Sequence, residues 1–252
     1  RASAAASSAP GTAPSSPTRP TRARADDLLA RIRRSPDLAK LVDTPVLLTA
    51  VAIVHRNGGR LPERRAELYE QCVQALAGRL DDRRNVETLL EHDRRIYVLS
   101  NVAFEHHGRG TDEGIARGAL IDAAGAQLAE QRAARGQPAP AEAERREAAF
   151  QLVERSGLLV HVGEAAYAFR HLTFQEFLAA RWLAAQASDP QGVLSTHVNE
   201  PEWREVVLLH LGFIARDGPA PAVPRFEALG YAAKNEAREE KRAVALGTLA
   251  QG

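Results

Sequence analysis

The sequence predicts a mainly α chain: a helical domain, a module that adds one small β-hairpin, and the start of a further helical array. Three observations predict it. Apolar residues recur three and four apart from Asp26 onward, the spacing of one helix face. Pro and Gly stand where helices open and close. The period changes only once, where Leu158 to Val162 and Ala166 to Arg170 form two β-prone runs around Gly163-Glu-Ala165, a hairpin signal.

Residues 1–25 contain only Arg, Ala, Ser, Thr, Pro and Gly and have nothing larger than Ala to bury, so a disordered tail or linker is expected there. Asp26 to Arg34 and Pro36 to Val42 read as short helices, with Ser35 as cap of the second and Pro36 in its first position. Thr44 and Pro45 repeat that device before Val46 to His55, which is apolar nearly all round and therefore a buried helix. Asn57, Gly58 and Gly59 end it, and Pro62 opens Glu63 to Leu80, whose Leu68, Tyr69, Cys72, Ala75 and Leu76 share a face. A further helical pattern runs from Val86 to His106 and stops at Gly108 and Gly110, closing a helical domain over 26–108.

The next unit, 109–188, has helices over Glu113 to Arg132 and Glu142 to Arg155, then the hairpin, then Thr173 to Ala187. Helices followed by a hairpin are the outline of a winged-helix module. From 189 to 252, Pro201 to Arg216, Pro224 to Ala233 and Glu236 to Ala250 read as the start of a helical array, without a fixed repeat.

Composition excludes several classes. In 252 residues, 33 basic side chains meet 32 acidic ones, so bulk charge does not make this a polyanion binder. The single cysteine, Cys72, leaves no disulfide framework and no cysteine-based zinc site. Val46 to Val54, the longest apolar stretch, is about half of what spanning a bilayer takes, so no membrane partner is expected and a cytoplasmic location is. Methionine is absent even at the start, so the chain reads as a fragment, a processed form or a domain.

No catalytic constellation emerges. None of the three lysines, Lys40, Lys234 and Lys241, follows a glycine, which excludes the phosphate-binding loop G-x-x-x-x-G-K-[ST]. Gly108-Arg-Gly110 follows a helix and lacks the third glycine of a dinucleotide fingerprint. His106 and His107 point about 100° apart on a helix rather than making the i, i+4 pair of a metal site, so they read as a solvated helix end and no metal is expected.

One segment stands out: Tyr167-Ala-Phe-Arg-His-Leu-Thr-Phe-Gln-Glu-Phe-Leu-Ala-Ala180. Thr173 and Glu176 have capping-box spacing, and Phe174, Phe177 and Leu178 lie at core spacing. His171 stands between strand and cap, where a side chain and a helix N-terminus can face an anion together. Residue type alone favours a satisfied structural histidine.

Phe169-Arg-His-Leu-Thr-Phe-Gln-Glu-Phe177 resembles the F-x-H-x-[ST]-F-Q-E-[FY] motif in the winged-helix domain of NACHT-type STAND NTPases. These regulatory ATPases include animal NOD-like receptors and many bacterial proteins. Asp43-Thr-Pro-Val-Leu-Leu-Thr-Ala50 is similar to the T-P-L-L-L segment of the family's helical domain, with Val46 in place of the common Leu. Leu61-Pro-Glu-Arg-Arg-Ala-Glu-Leu-Tyr-Glu70 resembles the stretch that follows it in bacterial members, and Pro201-Glu-Trp-Arg-Glu-Val-Val-Leu-Leu209 the entry into a C-terminal sensor array, with Trp203, Val207 and Phe213 as packing residues.

The resemblance implies a nucleotide switch in which Pro45 would pack near the base of bound ADP and His171 would reach its β-phosphate. Pro45 also fits an ordinary helix-opening proline. The cofactor implied is ADP or ATP, with Mg in a full-length parent. The partners implied are the chain's own P-loop NTPase domain, other proteins, and further copies on activation. Signal transduction, and defence against viruses, are what such proteins do. This chain lacks Walker A and Walker B elements, so hydrolysis is not expected of it alone. Two other classes stay open: a protein-binding helical scaffold without nucleotide, and a DNA-binding winged-helix regulator. For the latter, Glu142 to Arg155 carries four acids against three arginines, a poor balance for phosphate contacts.

Overall fold

The computed structural model describes residues 19–42, 45–56, 61, 65–79, 88–107, 114–185 and 187–215, together with 223, 224, 227 and 229. The expected features at Thr44, Asn57 to Gly59, Pro62, Gly108 and Gly110, and nearly all of the two expected helices after Pro224, lie outside the described residues.

Four helices come first: α1 (Arg19–Arg34), α2 (Pro36–Leu41), α3 (Pro45–Arg56) and α4 (Arg65–Gln74), the last running into a π-helical turn, Ala75–Arg79. Helix α1 starts seven residues before the expected boundary at Asp26. Its arginines and alanines are good helix formers even with little to bury, and Arg31, Arg33 and Arg34 favour the negative end of its dipole. Asp27 ties α1 to α3, accepting from Arg31 Nε and from His55 Nε2, each at 2.9 Å. These two donors hold its carboxyl below the usual range. Ser35 caps α2 as expected, its hydroxyl accepting from Leu38 N–H at 3.3 Å. Leu68, Tyr69, Cys72, Val73 and Ala75 bury one face of α4 and the turn after it, and burial pushes the Cys72 thiol up to about 12.

Next come α5 (His92–His106), β1 (Ile115–Ala116), α6 (Arg117–Ala134), α7 (Glu142–Ser156), β2 (Leu159–Val162), β3 (Ala166–Phe169) and α8 (Leu172–Ala185). Two expectations are corrected here. Within the described residues the helix expected from Val86 begins at His92, because the bend before it is held by two glutamines. Gln131 donates to Leu89 O and accepts from Glu91 N–H, both at 2.9 Å, and Gln151 accepts from Leu89 N–H at 3.0 Å. The hairpin is in fact two strands of a three-stranded antiparallel sheet ordered β1-β3-β2. Ile115 and Ala116 pair with Tyr167 and Ala166, and Arg117 N–H extends the ladder to Ala165 O at 2.8 Å. The helix expected from Glu113 therefore starts at Arg117. Gly114 lets the chain turn into β1 with φ +57°, where an added Cβ would lie 3.0 Å from Tyr167 O.

Register sorts the sheet into two faces. Leu159, Tyr167, Phe169 and Ile115 turn inward and are buried. Ala116, Val160, Val162, Ala166 and Ala168 turn the other way. Gly157 closes α7 in the left-handed region, φ 63°, and Glu144 reaches back to Ala141 N–H at 2.9 Å to satisfy the start of that helix. Arg132 clamps Glu144 across the α6–α7 pair with a bond of 2.9 Å from Nη1 and a shorter one from Nη2, which holds the Glu144 carboxyl low.

The chain then adds α9 (Pro190–His197), a 3-10 turn (Pro201–Trp203) and α10 (Arg204–Ile214). Helix α9 was not expected from periodicity. Asp189 caps it, accepting from Gly192 N–H at 2.9 Å, with Pro190 in the first turn. Helix α8 is the centre of the molecule, lying against α5 on one side and α10 on the other. Its Phe174, Phe177, Leu178, Ala179, Ala180 and Leu183 are buried, and the two alanines let neighbouring helices come close. Each such Phe or Leu contributes about 1.5–3 kcal/mol by leaving water.

Replacing Gln131 with Ala leaves Leu89 O and Glu91 N–H without their partner. The expected result is a loss of about 1–3 kcal/mol in urea unfolding, whereas Ala at Gln137, exposed in the loop after α6, leaves the midpoint in place.

Candidate functional site

His171 lies two residues after the end of β3 and directly before α8, whose first turn it opens: its carbonyl accepts from Phe174 N–H at 3.1 Å. This corrects the capping box expected from Thr173. Because the helix begins at Leu172, Thr173 already lies inside the first turn. The His171 side chain is half-buried, and its Nε2 is out of contact with solvent and without a hydrogen-bond partner among the described residues. A buried imidazole nitrogen left unpaired costs free energy that an ordinary structural histidine would recover. The ring meets Phe174 edge-on, with centroids 6.4 Å apart.

From Phe174 an aromatic series continues. Tyr69 on α4 meets Phe174 edge-on at 6.4 Å and Phe177 at 5.7 Å, and Phe177 meets Phe213 of α10 at 5.3 Å. Beside it Arg181 of α8 donates to Glu70 of α4 at 3.2 Å, and Gln74 donates to the other Glu70 oxygen at 2.7 Å. So the helix that begins at His171 is fixed both to the earlier helices and to the C-terminal one. Tyr69, Phe174, Phe177 and Phe213 were each expected to pack, but which of them meet, and the Arg181–Glu70 bond, were not. Their signal in sequence is only aromatic spacing, which does not name partners.

Pro45 is exposed at the first position of α3, and its carbonyl accepts from Thr49 Oγ1 at 2.7 Å. Helix α3 packs on α4, and α4 packs on α8. The two candidate residues thus stand at helix starts joined through α4, and no hydrogen bond or ring contact joins them directly.

Residues 65–183 match the family model described as the winged helix-turn-helix domain C-terminal to NACHT. The segment resembles a NACHT-associated winged helix. The match begins with α4 and runs into α8. Within the matched residues α5 to β3 run in the order helix, strand, two helices and two strands. No curated protein and no solved structure gives a significant match.

At the other end of α5 the histidine pair departs from expectation. His107 is buried rather than solvated: its Nε2–H donates to Glu202 O at 3.0 Å, and its ring meets Trp203 edge-on at 4.9 Å. His197 stacks on Trp203 at 4.1 Å and bonds Glu200 through Nδ1 at 2.8 Å. Trp203, Val207 and Phe213 pack as expected, with Trp203 buried. Among the described residues no three His, Cys, Asp or Glu side chains stand together as metal ligands would, and no helix is long and apolar enough to cross a membrane.

Loss of solvation pushes His107 below its ordinary value of 6.5, further lowered by His197 and opposed by the bond to Glu202 and by the Glu202 charge. The folded chain therefore resists a proton that the unfolded chain accepts. Its contribution to stability is complete above pH 6.5 and declines as pH falls below that value. Urea unfolding on either side of that pH should show the decline, and His107→Gln should flatten it.

Proposed function

We propose that this chain is the regulatory segment of a nucleotide switch, in which the His171 imidazole and the start of α8 hold the phosphate of ADP presented by a P-loop domain. One observation carries the reading: a histidine Nε2 that is enclosed, unpaired and placed at the N-terminus of a 14-residue helix. A ring N–H there would make a charge-assisted bond to a phosphate oxygen, aided by the positive end of the helix dipole. The similarity of 65–183 to a domain that follows NACHT supports the same assignment.

In this reading Pro45 offers its exposed ring to the base, and the Arg181–Glu70 bond with the aromatic series carries the state of the His171 site to α4 and α10. The pair binds and orients and transfers no proton or bond, so it acts as a latch favouring the ADP form. ATP, with Mg, belongs to the P-loop domain that completes the site. Signalling, protein partners and the antiviral role follow from that family and rest on the same reading, as does a cytoplasmic location. The DNA-binding alternative is not favoured: the helix before the wing, α7, exposes Glu142, Glu147 and Glu154 beside Arg146 and Arg155, which leaves no excess of positive charge for a phosphate backbone.

The test is calorimetric titration of ADP into the P-loop-bearing parent protein. His171→Ala is expected to weaken ADP by about 10- to 100-fold, the value of a charge-assisted hydrogen bond, with no change in the melting temperature of the nucleotide-free protein. Unaltered ADP affinity would refute the latch.

A further inference from the structure

Trp203, buried on the 3-10 turn before α10, is enclosed by rings from two other parts of the chain. At the end of α5, Phe104 meets it edge-on with centroids 6.1 Å apart, and His107 does so at 4.9 Å. From the last residue of α9, His197 lies flat on the indole, with 4.1 Å between centroids and 9° between planes. One indole thus joins the end of α5 to the C-terminal helices, and two histidines meet it in different ways.

Those histidines accommodate a positive charge unequally. A main-chain carbonyl can only accept, so the bond of 3.0 Å to Glu202 O places the proton of neutral His107 on Nε2. A second proton must then go to Nδ1, which is out of contact with solvent and has no acceptor among the described residues. His197 instead directs Nδ1 at the Glu200 carboxylate, 2.8 Å away, and has the indole face under its ring, so a charge there is matched on both sides. Burial opposes a proton on His107 most strongly; a charge on His197 opposes it further, and the Glu202 charge favours it. Also at the joint stand Glu105 and Arg204, both exposed, and His106 and Glu205, both half-buried. From α8 comes the uncharged Gln175, which donates to His106 O at 3.4 Å.

We infer that Trp203, His107 and His197 form an acid-sensitive clasp, in which a proton on His107 Nδ1 opens the joint between the end of α5 and the turn over 201–203. A charged ring with an unpaired N–H finds its acceptor in water, so it swings out, gives up Glu202 O and uncovers the indole. The opening is local. Gln175 keeps the main chain at residue 106 tied to α8, and α8 stays buried between α5 and α10 through Phe174, Phe177, Leu178 and Leu183. Because the open ring titrates at its ordinary value and the closed one below it, each further pH unit below 6.5 favours opening by up to about tenfold. The clasp uses neither Pro45 nor His171 and stands whether or not the latch does.

Fluorescence of the 252-residue chain carrying Trp182→Phe, which leaves Trp203 as its one tryptophan, tests this. Emission maximum and acrylamide quenching are followed from about pH 8 down to about pH 5, the range in which histidine titrates, with far-UV circular dichroism alongside. As pH falls below 6.5, the emission should move to longer wavelength and quenching should rise several-fold while the helical signal holds. Adding His107→Gln, which can still donate to Glu202 O but takes up no proton, should keep the indole shielded throughout. Should that variant fail to fold, hydrogen exchange of the unaltered chain takes its place: protection over 198–206, corrected for the intrinsic rate, should fall with pH while that over 174–183 persists. An indole that stays shielded at about pH 5, a red shift that survives His107→Gln, or exposure that coincides with loss of helix or of protection over 174–183 would each overturn the proposal.

Discussion

Burial of the helix over 172–185 on two sides is the constraint on which the rest of the structure depends. Phe174, Phe177, Leu178 and Leu183 are removed from water by α5 on one flank and α10 on the other, with Tyr69 of α4 against both phenylalanines. Small residues at 179 and 180 keep the helix axes close, so a larger side chain there would force neighbours off their rotamers. Because β3 runs straight into this helix, its position also sets that of the wing and of His171. A single buried element therefore fixes fold and candidate site together.

That coupling gives the proposed latch a physical route. The His171 ring touches Phe174, Phe174 touches Tyr69, and the Glu70–Arg181 bond joins the same two helices one turn further along. A ligand that pairs with Nε2 would remove the cost of an enclosed, unbonded nitrogen and so stabilise the arrangement in which that nitrogen is enclosed. Only differential contact of this kind can shift an equilibrium between states.

Polar side chains do the work of placing segments that apolar periodicity leaves undecided. Gln131 and Gln151 hold the bend over residues 89–91 by pairing with its main-chain N–H and C=O groups. Arg132 and Glu144 fasten α6 to α7, and His107 ties the end of α5 to the turn before α10. These bonds join residues from 12 to 95 positions apart.

The sequence by itself determined the mainly α architecture, the start of α3 at Pro45, the cap at Ser35, the hairpin, the core spacing of Phe174, Phe177 and Leu178, and the place of His171 between strand and helix. All are local: a period, a cap or a turn is written within a few neighbouring residues. What only the tertiary structure decided was β1, the late start of α5, the burial of His107 and the unpaired state of His171 Nε2. Two-residue Ile115–Ala116 is too short to carry a period and became a strand only because Tyr167 and Ala166 were there to pair with it. His107 reads as an exposed helix end until Trp203 and Glu202, nearly a hundred positions away, close over it. Pairing and desolvation are properties of what surrounds a residue, and the chain brings those surroundings together only when it folds.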